Sequence, residues 1–146
     1  MMRRLADVNV VFALLVEAHT HHKASWKWWE AAADGSVLWC LPVRLGVLRL
    51  LTNPAAMDGD PVSTETALTA WEDFARDERV VDQEVSGRRV DPFFRNNVVG
   101  RQPAPNLWTD AWLAAYAQAL GVGVVSFDRD FRSFDLVDFL HLKAKR

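Results

Sequence analysis

Four aspartates stand out by what surrounds them: Asp7 at the end of an apolar run, Asp110 at the opening of a helical stretch, and Asp128 and Asp130 just after a second apolar run. Carboxylates gathered in one place repel each other unless a cation neutralises them. An all-oxygen donor set with few His or Cys favours Mg²⁺ or Mn²⁺, ions that keep several waters and take substrate phosphates. Such a site activates water and clamps a phosphodiester for in-line displacement. The expected chemistry is metal-dependent phosphodiester hydrolysis. Each acid also has a structural use of its own: Asp7 can cap a helix, Asp110 can complement a helix dipole, and Asp128 can shape a turn.

The elements that must bring these acids together follow from periodicity. Arg4 to Val8 reads as a short buried strand running into a helix from Asn9 to Val16. A His-rich loop (His19, His21, His22) precedes a second helix from Lys23 to Ala33, stopped by Asp34-Gly35, and Val37 to Leu41 reads as a strand. Pro42 opens a third helix to Thr52, and Asn53-Pro54 ends it. After a loop to Pro61, Ser63 caps a fourth helix reaching Asp77. Val80-Val81 follows as a short strand. The stretch from Asp82 to Pro105, with three prolines, two glycines and four arginines, is expected to be a long loop with a helical turn or two. Asn106 to Leu120 reads as a helix capped by Gly121, and Val122 to Phe127 as a strand.

Strands alternating with helices predict an α/β three-layer sandwich with a mainly parallel central sheet. Asp7, Asp128 and Asp130 then lie at the carboxyl edge of that sheet, where open α/β folds bind their ligands.

The 146 residues, with 17 cations against 19 anions, form an ordinary globular composition, and residues 1–146 are expected to be a single domain. Cys40 is the only cysteine, which excludes a disulfide framework and a Cys-rich zinc site and points to a reducing cytoplasm. The apolar stretch near the amino terminus is broken by Asp7 and Asn9, so neither an export signal nor a membrane span is expected. No lysine occurs between Lys27 and Lys143, which rules out a GxxxxGK phosphate loop and a mid-chain catalytic lysine. Thirteen of the cations are arginine, the residue suited to bidentate phosphate contacts.

Four segments in order resemble one family. Leu5-Ala6-Asp7-Val8-Asn9-Val10-Val11 resembles the LLDxNVL opening of the PIN domain, Thr109-Asp110-Ala111-Trp112-Leu113-Ala114 its TDAxLA helix, and Ser126-Phe127-Asp128-Arg129-Asp130-Phe131 its TxDxDF strand end. Leu48-Arg49-Leu50-Leu51-Thr52-Asn53-Pro54 resembles the LRxLTNP segment of bacterial PIN toxins of the VapC type. The resemblance implies a PIN-like fold and an Mg²⁺- or Mn²⁺-dependent endoribonuclease toxin acting on structured RNA such as tRNA or rRNA. It also implies a homodimer held inactive by a small antitoxin. Carried onto this sequence, Asp7, Asp110 and Asp128 are the catalytic and metal-binding acids, with Asn9, Thr109 and Asp130 in support.

One position departs from that pattern. The family's second acid, usually a Glu in the helix before LRxLTNP, aligns with Arg44, and no acid occurs between Gly35 and Pro54. At about 4 Å and an effective dielectric near 20, a unit charge pair is worth on the order of 4 kcal/mol, so an inward Arg44 weakens metal binding. The alternative to an enzyme is therefore a PIN-fold RNA-binding or antitoxin-binding module with little turnover. A haloacid-dehalogenase-type phosphatase fits poorly, because Asn9 stands where that chemistry needs a proton-donating acid and the required lysine is missing. The histidine loop reads as a solvated cap rather than a transition-metal site. Most of the seven tryptophans read as core, among them Trp26, Trp29, Trp71, Trp108 and Trp112. Arg88, Arg89, Arg95 and Arg101 make the irregular stretch basic, either a solvated loop or an RNA contact. His141 to Arg146 reads as a frayed basic tail.

Overall fold

In a computed structural model, which describes residues 2–143, the chain forms five strands and six α-helices among those residues. β1 (Arg4–Ala6) leads into α1 (Val8–Leu15) and α2 (His22–Ala31). β2 (Val37–Leu38) follows, then α3 (Leu41–Leu51) and α4 (Thr64–Arg76). After β3 (Val80–Val81) come α5 (Gly87–Val98), α6 (Leu107–Leu120), β4 (Gly123–Ser126), a 3₁₀ turn (Arg129–Ser133) and β5 (Phe139–His141).

All strand pairs are parallel, in the order β3-β2-β1-β4-β5. Leu5 lies between Leu38 and Val124, and all three are buried, as a parallel sheet covered on both faces requires. The chain runs from β1 outward to β3, then returns across β1 to β4. Right-handed crossovers therefore place α1–α4 on one face and α5–α6 on the other, with the change of direction between β1 and β4. Asp7 follows β1 and Asp128 follows β4, so both acids sit at that switch point.

Local signals account for several boundaries. Ser63 accepts from the Thr66 amide at 3.1 Å and caps α4, whose Ala67, Trp71 and Phe74 are buried at helical spacing. Gly121, at φ 68°, ends α6 in the left-handed conformation that glycine adopts without strain.

Two segments differ from expectation. Residues 82–105 are not mainly loop, because α5 occupies twelve of them. Ser86 caps it by accepting from the Arg89 amide, Asp91 and Arg95 form an i,i+4 ion pair, and buried Asn97 donates to the Ala111 carbonyl and to Gln118 on α6. Pro92 lies within α5 on its exposed side, and packing against α6 outweighs the hydrogen bond it removes. The expected tail begins instead with an ordered residue: His141 belongs to β5, and the Leu142 amide donates to the Ser126 carbonyl at 2.9 Å. Ala144 to Arg146 lie outside the described residues.

The tryptophans divide. Trp29 and Trp71 are buried, whereas Trp26 and Trp108 are exposed. The histidines are not solvated caps either. His21 stacks on Phe127 with ring centroids 4.7 Å apart, and its Nδ1 is buried without a partner among the described residues.

One close approach ties α1 to α3. A Cβ on Gly46 would sit 2.9 Å from Val8 Cγ2, and the β-branched valine has little rotamer freedom in a helix. Gly46→Ala should therefore lower stability despite the gain of about 1 kcal/mol in helix propensity, since overpacking costs about 1–3 kcal/mol. Thermal denaturation checks this, and the Val8→Ala/Gly46→Ala double variant should recover the loss that the single variant shows.

Candidate active site

Asp7 is where β1 becomes α1. Its amide donates to the Val125 carbonyl at 3.0 Å, extending the β1–β4 ladder by one bond, while its side chain turns to cap the helix. Oδ1 accepts from the Val8 amide at 2.7 Å and Oδ2 from the Ser126 hydroxyl at 2.6 Å. Asp7 is only 7% exposed. Burial pushes its pKa up, the Ser126 and Val8 hydrogen bonds pull against that, and the charge of Asp128 adds to the rise.

Ser126, the fully buried last residue of β4, is the hub. Its Oγ donates to Asp7 and accepts from the Asp128 amide at 2.9 Å and from Asn9 Nδ2 at 3.3 Å. Asn9 Oδ1 in turn accepts from the Phe127 amide at 3.2 Å. One hydroxyl thus fixes the two strand ends relative to each other. In the sequence Ser126 is visible only as the first residue of the Ser126–Phe131 segment. Its signal was a hydroxyl two residues before an acid at a strand end, which can accept that acid's amide.

Asp128 caps the 3₁₀ turn, with Oδ1 accepting from the Asp130 amide at 2.9 Å. Asp110 sits in the first turn of α6, and its pKa is raised to about 7 by burial first and then by the charges of Asp7, Asp128 and Asp130. The four acids therefore share one electrostatic field, and none pairs with a cation among the described residues. Among those residues no three His, Cys, Asp or Glu side chains already stand as a ligand set for a metal. The donor chemistry is nonetheless that of a hard divalent cation: oxygens only, like-charged and without a counterion. Thr109 is exposed and makes no side-chain hydrogen bond among the described residues.

Arg44 lies one turn into α3, whose N-cap is Cys40. The buried Cys40 thiol is pushed up to about 12, mainly by burial, with the charge of Asp7 contributing. The start of α3 is therefore within electrostatic reach of the site. Arg44 is half-buried and forms no ion pair or side-chain hydrogen bond among the described residues, so it does not lock the acids in a self-inhibited pair.

Beside the acids runs a groove of about 680 Å³, whose lining includes Asp110 and Asp130 together with Arg101, Arg129 and Arg132. A larger, mostly apolar cleft of about 820 Å³ lies between α2 and β5 and contains none of the four acids.

The PIN domain model matches residues 4–137, and the chain belongs to the PIN-domain family. Ribonuclease VapC41 of Mycobacterium tuberculosis is 33% identical over 145 residues, covering 97% of this chain and 99% of the relative. Ribonuclease VapC48 of the same organism is 34% identical over 105 residues, 71% of each chain. Among solved structures, M. tuberculosis VapC20, described as a Sarcin-Ricin loop cleaving toxin, superposes with a TM-score of 0.66 over 91% of this chain and 97% of its own at 19% identity, which shows the shared fold.

The raised pKa of Asp110 predicts a pH dependence. In the fold the acid keeps its proton up to about pH 7, whereas its ordinary value is 3.8. The folded state therefore binds more protons than the unfolded chain across that window, and stability falls as the pH rises through it. In EDTA, Asp110→Asn should melt higher than the wild type at pH 7.5, and the difference should shrink toward pH 4. A constant difference at both ends would show that Asp110 is not under charge stress.

Proposed function

We propose that this chain is a divalent-metal-dependent endoribonuclease toxin of the VapC type, with Asp7, Asp110 and Asp128 as its catalytic and metal-binding carboxylates. The observation that carries this is the burial and crowding of the acids at the β1/β4 switch point: burial first, and then neighbouring acid charge, raise Asp7 and Asp110, with no cation paired to either among the described residues. Two ribonucleases similar in sequence, one along nearly its whole length, support turnover over the binding-only alternative.

Asp7, Asp110 and Asp128 would hold Mg²⁺ or Mn²⁺, with Asn9, Thr109 and Asp130 in support. When bound, the ion supplies charge for the phosphodiester transition state and lowers the pKa of a water. The protein's part is preorganisation. The Val8 amide and the Ser126 hydroxyl orient Asp7, and Ser126 together with Asn9 pins the backbone from Phe127 to Asp128, which ties the two strand ends to each other. Asp110, raised to about 7, would give up its proton more readily beside positive charge, as a metal-binding carboxylate must.

The substrate on this account is structured RNA such as tRNA or rRNA. Among the described residues no helix is long and apolar enough to cross a membrane. The chain acts in the cytoplasm as a single PIN domain spanning residues 1–146. It works as a homodimer under control of a cognate antitoxin. Leu41 and Leu45, exposed four residues apart on α3, and exposed Trp26 on α2 supply apolar surface for these contacts.

Asp7→Asn and Asp128→Asn should each lower Mg²⁺- or Mn²⁺-dependent RNA cleavage by more than about 100-fold, beyond what loss of an outer-sphere partner costs. Their circular dichroism spectra should match the wild type. Cleavage by both at wild-type rates would overturn the assignment. Arg44→Glu removes a cation and adds a carboxylate, and should tighten Mg²⁺ binding by at least about tenfold, or 1.4 kcal/mol. Unchanged affinity in a calorimetric titration would place Arg44 away from the ion.

A further inference from the structure

The groove beside the acids has a composition that charge pairing does not explain. Three guanidiniums, Arg101, Arg129 and Arg132, line it together with Asp110 and Asp130, yet none forms an ion pair among the described residues. Elsewhere the arginines that lie near acids do pair: Arg4 with Asp138, Arg79 with Asp77, Arg95 with Asp91 and Arg76 with Glu72.

Two local devices place the cations along the groove. Residues three apart eclipse in a 3₁₀ helix, so the turn Arg129–Ser133 puts Arg129 and Arg132 on one face, directly after Asp128. Arg132 also donates to His141 Nδ1 at 3.4 Å. Arg101 comes from the segment after α5 and is fixed twice. Its two Nη atoms donate to the Ser133 hydroxyl and carbonyl at 2.7 and 2.6 Å, and its guanidinium lies 4.4 Å from the centre of the Phe134 ring. Guanidinium offers five N–H donors, so an Arg101 held by two of them keeps donors free for a ligand. A cation that is immobilised yet uncompensated costs little further entropy when it meets an anion.

We propose that this groove is the phosphate track of the substrate strand. Arg101, Arg129 and Arg132 take the backbone phosphates that flank the scissile bond on one side, so that the scissile phosphodiester falls beside Asp110 and Asp128. The volume of about 680 Å³ is that of a small-ligand site and admits a short stretch of strand. Phosphate contacts fix the register of a strand and carry no sequence information, so a track of this kind positions RNA without selecting sequence. This rests on the ribonuclease reading for the scissile end and deepens it by naming the residues that position the strand.

The test is salt-dependent binding of a fluorescein-labelled, unstructured oligoribonucleotide, followed by anisotropy in EDTA so that metal-dependent cleavage does not intervene. Arg101→Ala, Arg129→Ala and Arg132→Ala should each flatten the plot of log affinity against log salt by about 0.7, the contribution of one phosphate contact on a single strand. Arg129→Lys should keep the wild-type slope, because lysine still meets phosphate as a point charge. Arg88→Ala, at an exposed position of α5 outside the groove, should leave the slope unchanged. In Mg²⁺ the groove variants should raise KM while kcat at saturation stays within about twofold, the mark of lost uniform binding. A triple alanine variant with wild-type affinity and slope would overturn the track, as would an equal loss in Arg88→Ala. Arg129 is exposed and makes no ion pair or side-chain hydrogen bond among the described residues, so its two variants decide the matter if Arg101→Ala is unstable. Intact RNA after incubation of the wild type with Mg²⁺ or Mn²⁺ would instead defeat the ribonuclease reading, and the titration in EDTA would still decide the groove.

Discussion

Like charge crowded at the carboxyl ends of β1 and β4 is the constraint on which the rest of the structure depends. Asp7 is nearly buried, Asp110 is pushed to about 7, and Asp128 and Asp130 add their charge to the same region. A fold gains nothing in stability from such an arrangement, since dispersing the acids into solvent would relieve both desolvation and repulsion. The architecture opposes that relief at each point. Asp7 is locked as a helix cap, Asp128 caps the 3₁₀ turn, and Asp110 rides on a helix whose other face is core. The stress is a store of affinity for positive charge, and it accounts for the proton that Asp110 retains near neutrality.

The sheet makes this possible by register. β1 and β4 pair with Ala6 opposite Val125, and the extra bond from the Asp7 amide to the Val125 carbonyl carries the ladder to the point where the side chains diverge. A slip of one residue would turn every side chain to the other face and break the Ser126–Asp7 bond. Ser126 is therefore the mechanical centre of the site, with one hydroxyl bridging a helix cap, the amide of the next acid and Asn9. On the far side of β4, β5 gives the strand a second neighbour, and its His141 ring nitrogen lies 3.0 Å from the Phe127 carbonyl.

Charges are distributed differently within the site and away from it. Outside it, Arg4, Arg79 and Arg95 meet acids at 2.6–3.0 Å. Within it, acids crowd acids, and the three nearby guanidiniums turn to a serine, a phenylalanine, a histidine or solvent. That separation leaves both signs of charge available at once, which a metal-assisted attack on a phosphodiester requires and which full mutual pairing would cancel.

Residues close in sequence were legible without the fold. Ser63 before an apolar helical run, Gly121 after one, and Asp7 at the end of an apolar strand each state a local rule, and the alternation of strands and helices implies a parallel sheet with its site at one edge. Four short motifs in order carried the family, because each is a contiguous stretch. What depends on distant residues was not legible. α5 looked like loop because Gly87 and Pro92 are poor helix formers, and only packing on α6, with Asn97 bonded across to it, makes the helix. β5 has three residues and, among the described residues, pairs as a strand with β4 alone. The protonation of Asp110 arises from burial and from charges 103 positions before it and 18 and 20 after it, and the groove needs Arg101 held by Ser133 across 32 residues. Sequence by itself determined which groups exist and which local turns present them. Tertiary structure decided their distances and their exposure, and since electrostatic energy depends on both, it alone set the charge state of the site.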